Sequence, residues 1–408
     1  MTRFIARGKN PETLLLLALV GLAIAIRWVG FDIATPDFRS FVLPWSQYIA
    51  EHGFAALGDD FANYNVPYLY LLAGLTWLEP HVPWSILELV KLSSVAFDVM
   101  LAYYAARIVG LRGNPRTALL AGLVVLLLPT VMLNGSWWAQ CDTVYSAFTV
   151  AGIYYLLREN PWVAAVLFGV AISIKLQAVF LFPVLFVLLL AGRIVKVRHL
   201  LVVPAIYVAL AVPAWLAGRP FSDLMLIYVH QSGQYGALTL GSPTIYTFIH
   251  PGNAILDSVR TAGTLFAVAA VLVFTYVLLL RKITFDARRI VLLAATFSLL
   301  VPFLLPGMHE RYFMQADALT VIAAFWLPAQ LWFLPILEQI TSFASYVPYL
   351  FLANGNRPVD LRVLSVMMFA ALVILAAHLL RRDPAPAPPP AGEVRNESLP
   401  KQREPALI

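Results

Sequence analysis

Apolar stretches long enough to cross a bilayer recur along most of the chain, and no other sequence feature limits the fold so tightly. They run near 13–29, 88–109, 117–133, 143–157, 162–175, 177–191, 200–217, 261–280, 289–306, 313–329, 333–353 and 361–380. Only 12% of the residues are charged, against about 25% in a soluble domain. The expected fold is an all-α polytopic membrane protein of about twelve transmembrane helices, with residues 1–380 as one membrane domain. Residues 66–79 are apolar as well, but the stretch is short and led by Pro67. It reads as an interfacial helix in the first outer loop. The first run shows no small-residue cleavage site and reads as a retained span. The proline-rich end, 381–408, has no apolar face to bury and reads as a disordered cytoplasmic tail.

Basic residues orient such a chain. One side receives Arg3, Arg7, Lys9, Arg107, Arg112, Arg116, Arg158, Arg193, Lys196, Arg198, Arg281, Lys282, Arg288, Arg289, Arg381 and Arg382. The other receives Arg27, Arg39, Lys91, Lys175, Arg219, Arg260, Arg311, Arg357 and Arg362, over longer loops. The first side is therefore expected to be cytoplasmic with both termini, in a plasma membrane of bacterial type. The net charge of +6 belongs to this pattern and not to nucleic-acid binding. The lone cysteine, Cys141, excludes an internal disulfide.

The polar residues that membrane flanks make costly all fall on the expected outer side. They are Pro36-Asp37-Phe38-Arg39, Asn63-Tyr64-Asn65-Val66-Pro67-Tyr68, Asn134 through Asp142, Lys175-Leu176-Gln177, and His309-Glu310-Arg311-Tyr312. The loop 218–260, with Gln231–Tyr235 and Gly241–Tyr246, is expected to help shape the acceptor side. Blander roles exist for several of these residues. Asp37 and Asp142 suit helix caps, Lys175 suits snorkelling, and Trp137 and Trp138 suit an aromatic belt. Asp98, inside the second span, reads as a buried partner for a neighbouring helix.

One cavity at the outer surface would unite these residues. A carboxylate there can act as general base on an incoming hydroxyl. Lysine, arginine and histidine beside it can hold a phosphate leaving group. No Gly-rich phosphate loop and no soluble nucleotide-binding domain is present. The set fits sugar transfer from a lipid phosphate to a hydroxyl. A transporter or lipid-linked glycan flippase is the competing class, but no internal repeat is evident and the polar residues avoid the midplane. A ligase moving a whole oligosaccharide would share the same site.

In their order, these motifs resemble the GT-C superfamily of polytopic glycosyltransferases, above all the glucosyltransferases of asparagine-linked glycosylation and their bacterial relatives. The likeness covers about 13–330. The resemblance implies that Asp37, after the first span, is the catalytic base. It also implies an inverting transfer from a polyprenyl-phosphate-linked hexose, such as mannose or glucose, to a lipid, glycan or protein acceptor. Lys175, His309, Arg311 and Tyr312 are expected at the donor phosphate. Arg39, Tyr64, Trp138, Gln140, Asp142, Gln177 and Glu310 are expected at the substrates, with Glu310 able to orient Arg311 or His309. Two departures stand out: Trp138-Ala139-Gln140-Cys141-Asp142 carries alanine where the family pattern has glycine, and Arg311 replaces a common lysine. No cofactor is expected, and no metal, since Asp59-Asp60 lie well downstream of Asp37.

Overall fold

The computed structural model describes residues 11–232, 236–352 and 356–381. The expected tail, apart from Arg381, lies outside these residues, as do Gly233, Gln234 and Tyr235 of the second long loop.

Helix α1, Pro11–Val29, leads into a π-helical turn, Phe38–Val42, and then α2, Leu43–His52. Helix α3, Val66–Leu78, is capped by the Asn65 side chain, and α4, Ile86–Gly110, by a Ser85–Glu88 capping box. Then follow α5, Pro115–Leu126; α6, Pro129–Ser136; α7, Asp142–Leu157; and α8, Pro161–Ile174. A 3-10 segment, Leu176–Leu181, joins α8 to α9, Phe182–Leu190. Next are α10, Val202–Leu216; α11, Phe221–Ser232; α12, Leu256–Leu280; and α13, Ala287–Leu304. Last are α14, Met314–Trp326; α15, Leu334–Leu350; and α16, Leu361–Leu380. Two short parallel strands, β1 (Thr239–Leu240) and β2 (Met308–His309), pair Thr239 with Met308 and Leu240 with His309.

The all-α expectation holds, but a count of twelve spans is not reproduced. Among the described residues, four stretches are alone long and apolar enough to cross: 197–216, 253–280, 287–304 and 361–380. A fifth arises if α5 and α6, bent by 51°, form one span. Shorter apolar helices lie at 14–29, 161–174, 176–190 and 314–326. The apolar run 117–133 breaks because Pro129 drives Leu128 into an extended conformation, ψ 128°. The 13 residues of α3 reach about 20 Å at 1.5 Å per residue, short of a hydrocarbon core of about 30 Å.

Two apolar clusters organise the packing. The larger centres on α13 and α14, whose side chains are almost all buried. The smaller packs α2 and α3 against α7 and α8. The candidate site sits at their seam.

Charges inside the bundle are spent on fixing helices. Asp98 of α4 accepts from Arg27 of α1 through Nε at 3.1 Å and Nη2 at 3.0 Å, the helix partnership expected of it. Lys91, also on α4, donates to the carbonyls of Gly30 (2.6 Å), Phe31 (3.1 Å) and Ile33 (2.7 Å). Those carbonyls end α1 and begin the loop that carries Asp37. Arg27, Lys91, Lys175, Arg219 and Arg311, assigned to the outer side from sequence, are all buried.

Candidate functional site

Asp37 opens the π-helical turn but makes no side-chain cap bond. Its carboxylate turns instead to the α6–α7 connection. Oδ2 accepts from Trp138 Nε1 at 2.9 Å and from Gln140 Nε2 at 2.8 Å. Its backbone N–H donates to the Tyr349 hydroxyl at 3.1 Å. The side chain stays 24% exposed, so the carboxylate is held and still accessible.

Trp138 and Gln140 reach one oxygen because Ala139 between them adopts φ 63°. That left-handed position favours glycine, and alanine there costs about 1 kcal/mol. Trp138 is fully buried, stacked on Tyr349 at 4.3 Å and edge-on to Tyr346 at 5.3 Å. Its carbonyl accepts from Thr35 at 2.9 Å. An aromatic-belt role for Trp138 is thereby corrected: the indole is a hydrogen-bond donor inside the protein.

A second carboxylate lies deeper. Asp142, first in α7, is fully buried and accepts from Lys175 Nζ at 2.5 Å and Asn134 Nδ2 at 2.9 Å. Arg311 Nε stands 3.5 Å from it. Lys175 is at an extended break, φ −153°, where α8 gives way to the 3-10 segment. This break points the ammonium inward, so it does not snorkel. The buried Lys175 ammonium is balanced by the Asp142 carboxylate. The Tyr64 and Tyr312 rings flank it at 5.5 Å each. Arg311 thus faces three acids, with Nη1 also 3.9 Å from Asp37 and 3.4 Å from Glu310, and its guanidinium lies over Trp138 at 5.2 Å.

His309 and Glu310 are shifted in opposite directions. Burial, reinforced by Arg311 and Lys175, lowers His309 to about 2. Burial raises Glu310 to about 7 against the pull of Arg311. Burial beside these two cations favours the neutral imidazole at His309.

A cavity of about 590 Å³ is lined by Lys175, Gln177, His309, Arg311 and Tyr312, with Arg260 at α12. A smaller pocket of about 60 Å³ contains Asp37, Gln140, Phe41, Trp45 and Tyr68. Asn63, Tyr64, His309 and Arg311 line both. Gln177 Oε1 is buried with no hydrogen-bond partner among the described residues.

Eleven of the twelve residues singled out from sequence converge here, but they stand in different layers. Lys175, Gln177, Tyr64, Gln140, His309, Arg311, Tyr312 and Asp37 line the two cavities. Trp138, Asp142 and Glu310 stand behind those residues and hold them. Arg39 is exposed and lines neither cavity. Sequence reasoning missed Tyr349 as a partner of Asp37 and gave Asn134 no role. For Asn134 the signal was its place in the same polar loop as Asp142; Tyr349 had none.

No family model and no curated protein matches this sequence. The fold is similar to that of ArnT from Cupriavidus metallidurans in its crystal structure bound to undecaprenyl phosphate. The TM-score is 0.52 at 15% identity, covering 90% of this chain and 77% of that one. The apo structure of the same protein aligns with a TM-score of 0.47 at 13% identity, over 91% and 77%. The likeness is one of fold.

Proposed function

We propose that the chain is a membrane glycosyltransferase that moves a hexose from a polyprenyl-phosphate donor to an acceptor hydroxyl, on the outer membrane face and with both termini cytoplasmic. The observation that carries this reading is the meeting of two cavities across Arg311, one holding an accessible carboxylate and the other a lysine and a neutral imidazole. The fold likeness to a protein crystallised with undecaprenyl phosphate supports the donor class.

In this reading the donor phosphate lies in the larger cavity against Lys175 and Arg311, with His309 and Tyr312 as neutral neighbours. The acceptor hydroxyl enters beside Asp37. Asp37 takes its proton while the acceptor oxygen forms a bond to the anomeric carbon. The bond from that carbon to the phosphate oxygen breaks, and its electron pair leaves with the polyprenyl phosphate. Base and phosphate on opposite sides of Arg311 suit an in-line, inverting displacement. Asp37 keeps its orientation because both donors to Oδ2 are neutral N–H groups, and Oδ1 carries neither of those bonds.

The test is label transfer by the purified protein from radiolabelled polyprenyl-phosphate hexoses to a membrane extract. Asp37→Asn should lower turnover by 100-fold or more, the upper part of the range for general-base loss, about 10²–10⁴. Arg311→Ala should weaken donor use. An Asp37→Asn protein as active as wild type would sink the base assignment.

A further inference from the structure

A second groove, of about 800 Å³, opens behind the strand pair. The strands divide it from the site: β1 gives it Thr239, while β2 gives Met308 and His309 to the 590 Å³ cavity. Its ionisable residues are Arg357, Arg362, His250 and Asp360. Asp360 is already engaged, since it caps α16 and pairs with Arg362 at 3.1 Å. Arg357 is exposed and makes no hydrogen bond or ion pair among the described residues. It approaches the site across one glycine. A Cβ at Gly241 (φ 85°) would lie 3.1 Å from Glu310 Oε2 and 3.4 Å from Arg357 Nη2.

Below this groove runs an apolar stripe. Val363, Val366, Phe369 and Val373 repeat on one face of α16 and are 53%, 59%, 52% and 47% exposed. Phe248 and Ile249 at the groove's lip are exposed as well. Helix α16 is long and apolar enough to cross a membrane, and a stripe of this kind on a spanning helix is covered by acyl chains. An unengaged guanidinium above such a stripe matches the two ends of a charged lipid: phosphate at the interface, hydrocarbon along the helix.

We propose that this groove seats an anionic phospholipid, its phosphate on Arg357 and one acyl chain along the α16 stripe. The seat is separate from the transfer site and stands whether or not the chain transfers sugar. A soluble anion would have no use for the stripe, and a zwitterionic lipid would bring its own cation to Arg357.

The experiment uses the full chain in detergent, with phosphatidylglycerol and phosphatidylcholine added in turn and retention read by native mass spectrometry. Wild type should keep phosphatidylglycerol in preference to phosphatidylcholine. Arg357→Gln should lose about five-fold in phosphatidylglycerol retention, the effect of one basic residue beside an anionic lipid, with an unchanged melting midpoint in the lipid-free protein. Val366→Asn should lower retention of phosphatidylglycerol while leaving Arg357 in place. Equal retention of the two lipids, equal retention by wild type and Arg357→Gln, or displacement of the lipid by inorganic phosphate would each overturn the proposal.

Discussion

His309 and Glu310 make opposite and separable contributions to stability. Glu310 has a pKa of about 7 when folded and 4.5 as a free side chain. His309 has a pKa of about 2 when folded and 6.5 when free. Between pH 4.5 and 6.5 the unfolded chain therefore holds a proton on His309 and none on Glu310, and the folded chain holds the reverse. The two slopes cancel, so this pair adds no pH dependence in that window. Removing either residue unmasks the other. In Glu310→Gln only His309 remains, the unfolded state binds more protons, and stability rises with pH. In His309→Gln only Glu310 remains, the folded state binds more protons, and stability falls. Each slope is about 1.4 kcal/mol per pH unit, so each variant changes by about 2.7 kcal/mol over the window. At roughly 2 °C per kcal/mol for a long chain, the two melting curves should diverge by about 10 °C between pH 4.5 and 6.5. His309 Nδ1 lies 3.9 Å from Glu310 Oε2, so the double variant His309→Gln/Glu310→Gln completes the comparison. Scanning fluorimetry of the detergent-solubilised variants at three pH values, each referred to wild type, measures this. If both variants track wild type within a degree, burial does not set these two protonation states.

Other outcomes follow from the same contacts. Asp142→Asn leaves the buried Lys175 and Arg311 without their shared carboxylate. It should cost about 3–5 kcal/mol, seen as a lower melting midpoint together with a raised KM for donor. Tyr349→Phe keeps the stack on Trp138 but loses the acceptor for the Asp37 N–H. It should lower stability by about 1 kcal/mol and reduce kcat several-fold with donor KM unchanged. An unaltered kcat would mean that Trp138 and Gln140 alone place the base.

The helical architecture and the membership of the site were legible because membrane-flanked polar residues are costly and so mark themselves. Asp37, Lys175 and Arg311 stood out in apolar surroundings, and they converge in space. Layering was not legible. Asp142 and Lys175 have residue types equally suited to touching a phosphate, and only their 2.5 Å contact shows that one anchors the other. Tyr349 meets Asp37 across 312 positions of sequence, from the end of a helix that reads simply as an apolar run. The protonation of His309 depends on its burial and on two cations that come from different segments, Arg311 and Lys175. Arg39 shares a motif with Asp37 yet points elsewhere, since neighbours in a helical turn face different directions.

The Lys91 ammonium, closed around three carbonyls at the end of α1, carries a consequence for how the chain is made. Asp37 leaves the ribosome more than fifty residues before the side chain that fixes its loop. Until α4 enters the bundle, the carboxylate has its sequence neighbours but not its address. A fragment ending before Lys91 would carry the residue and none of its geometry. Transplanting the first loop to another scaffold would fail for the same reason unless α4 travelled with it.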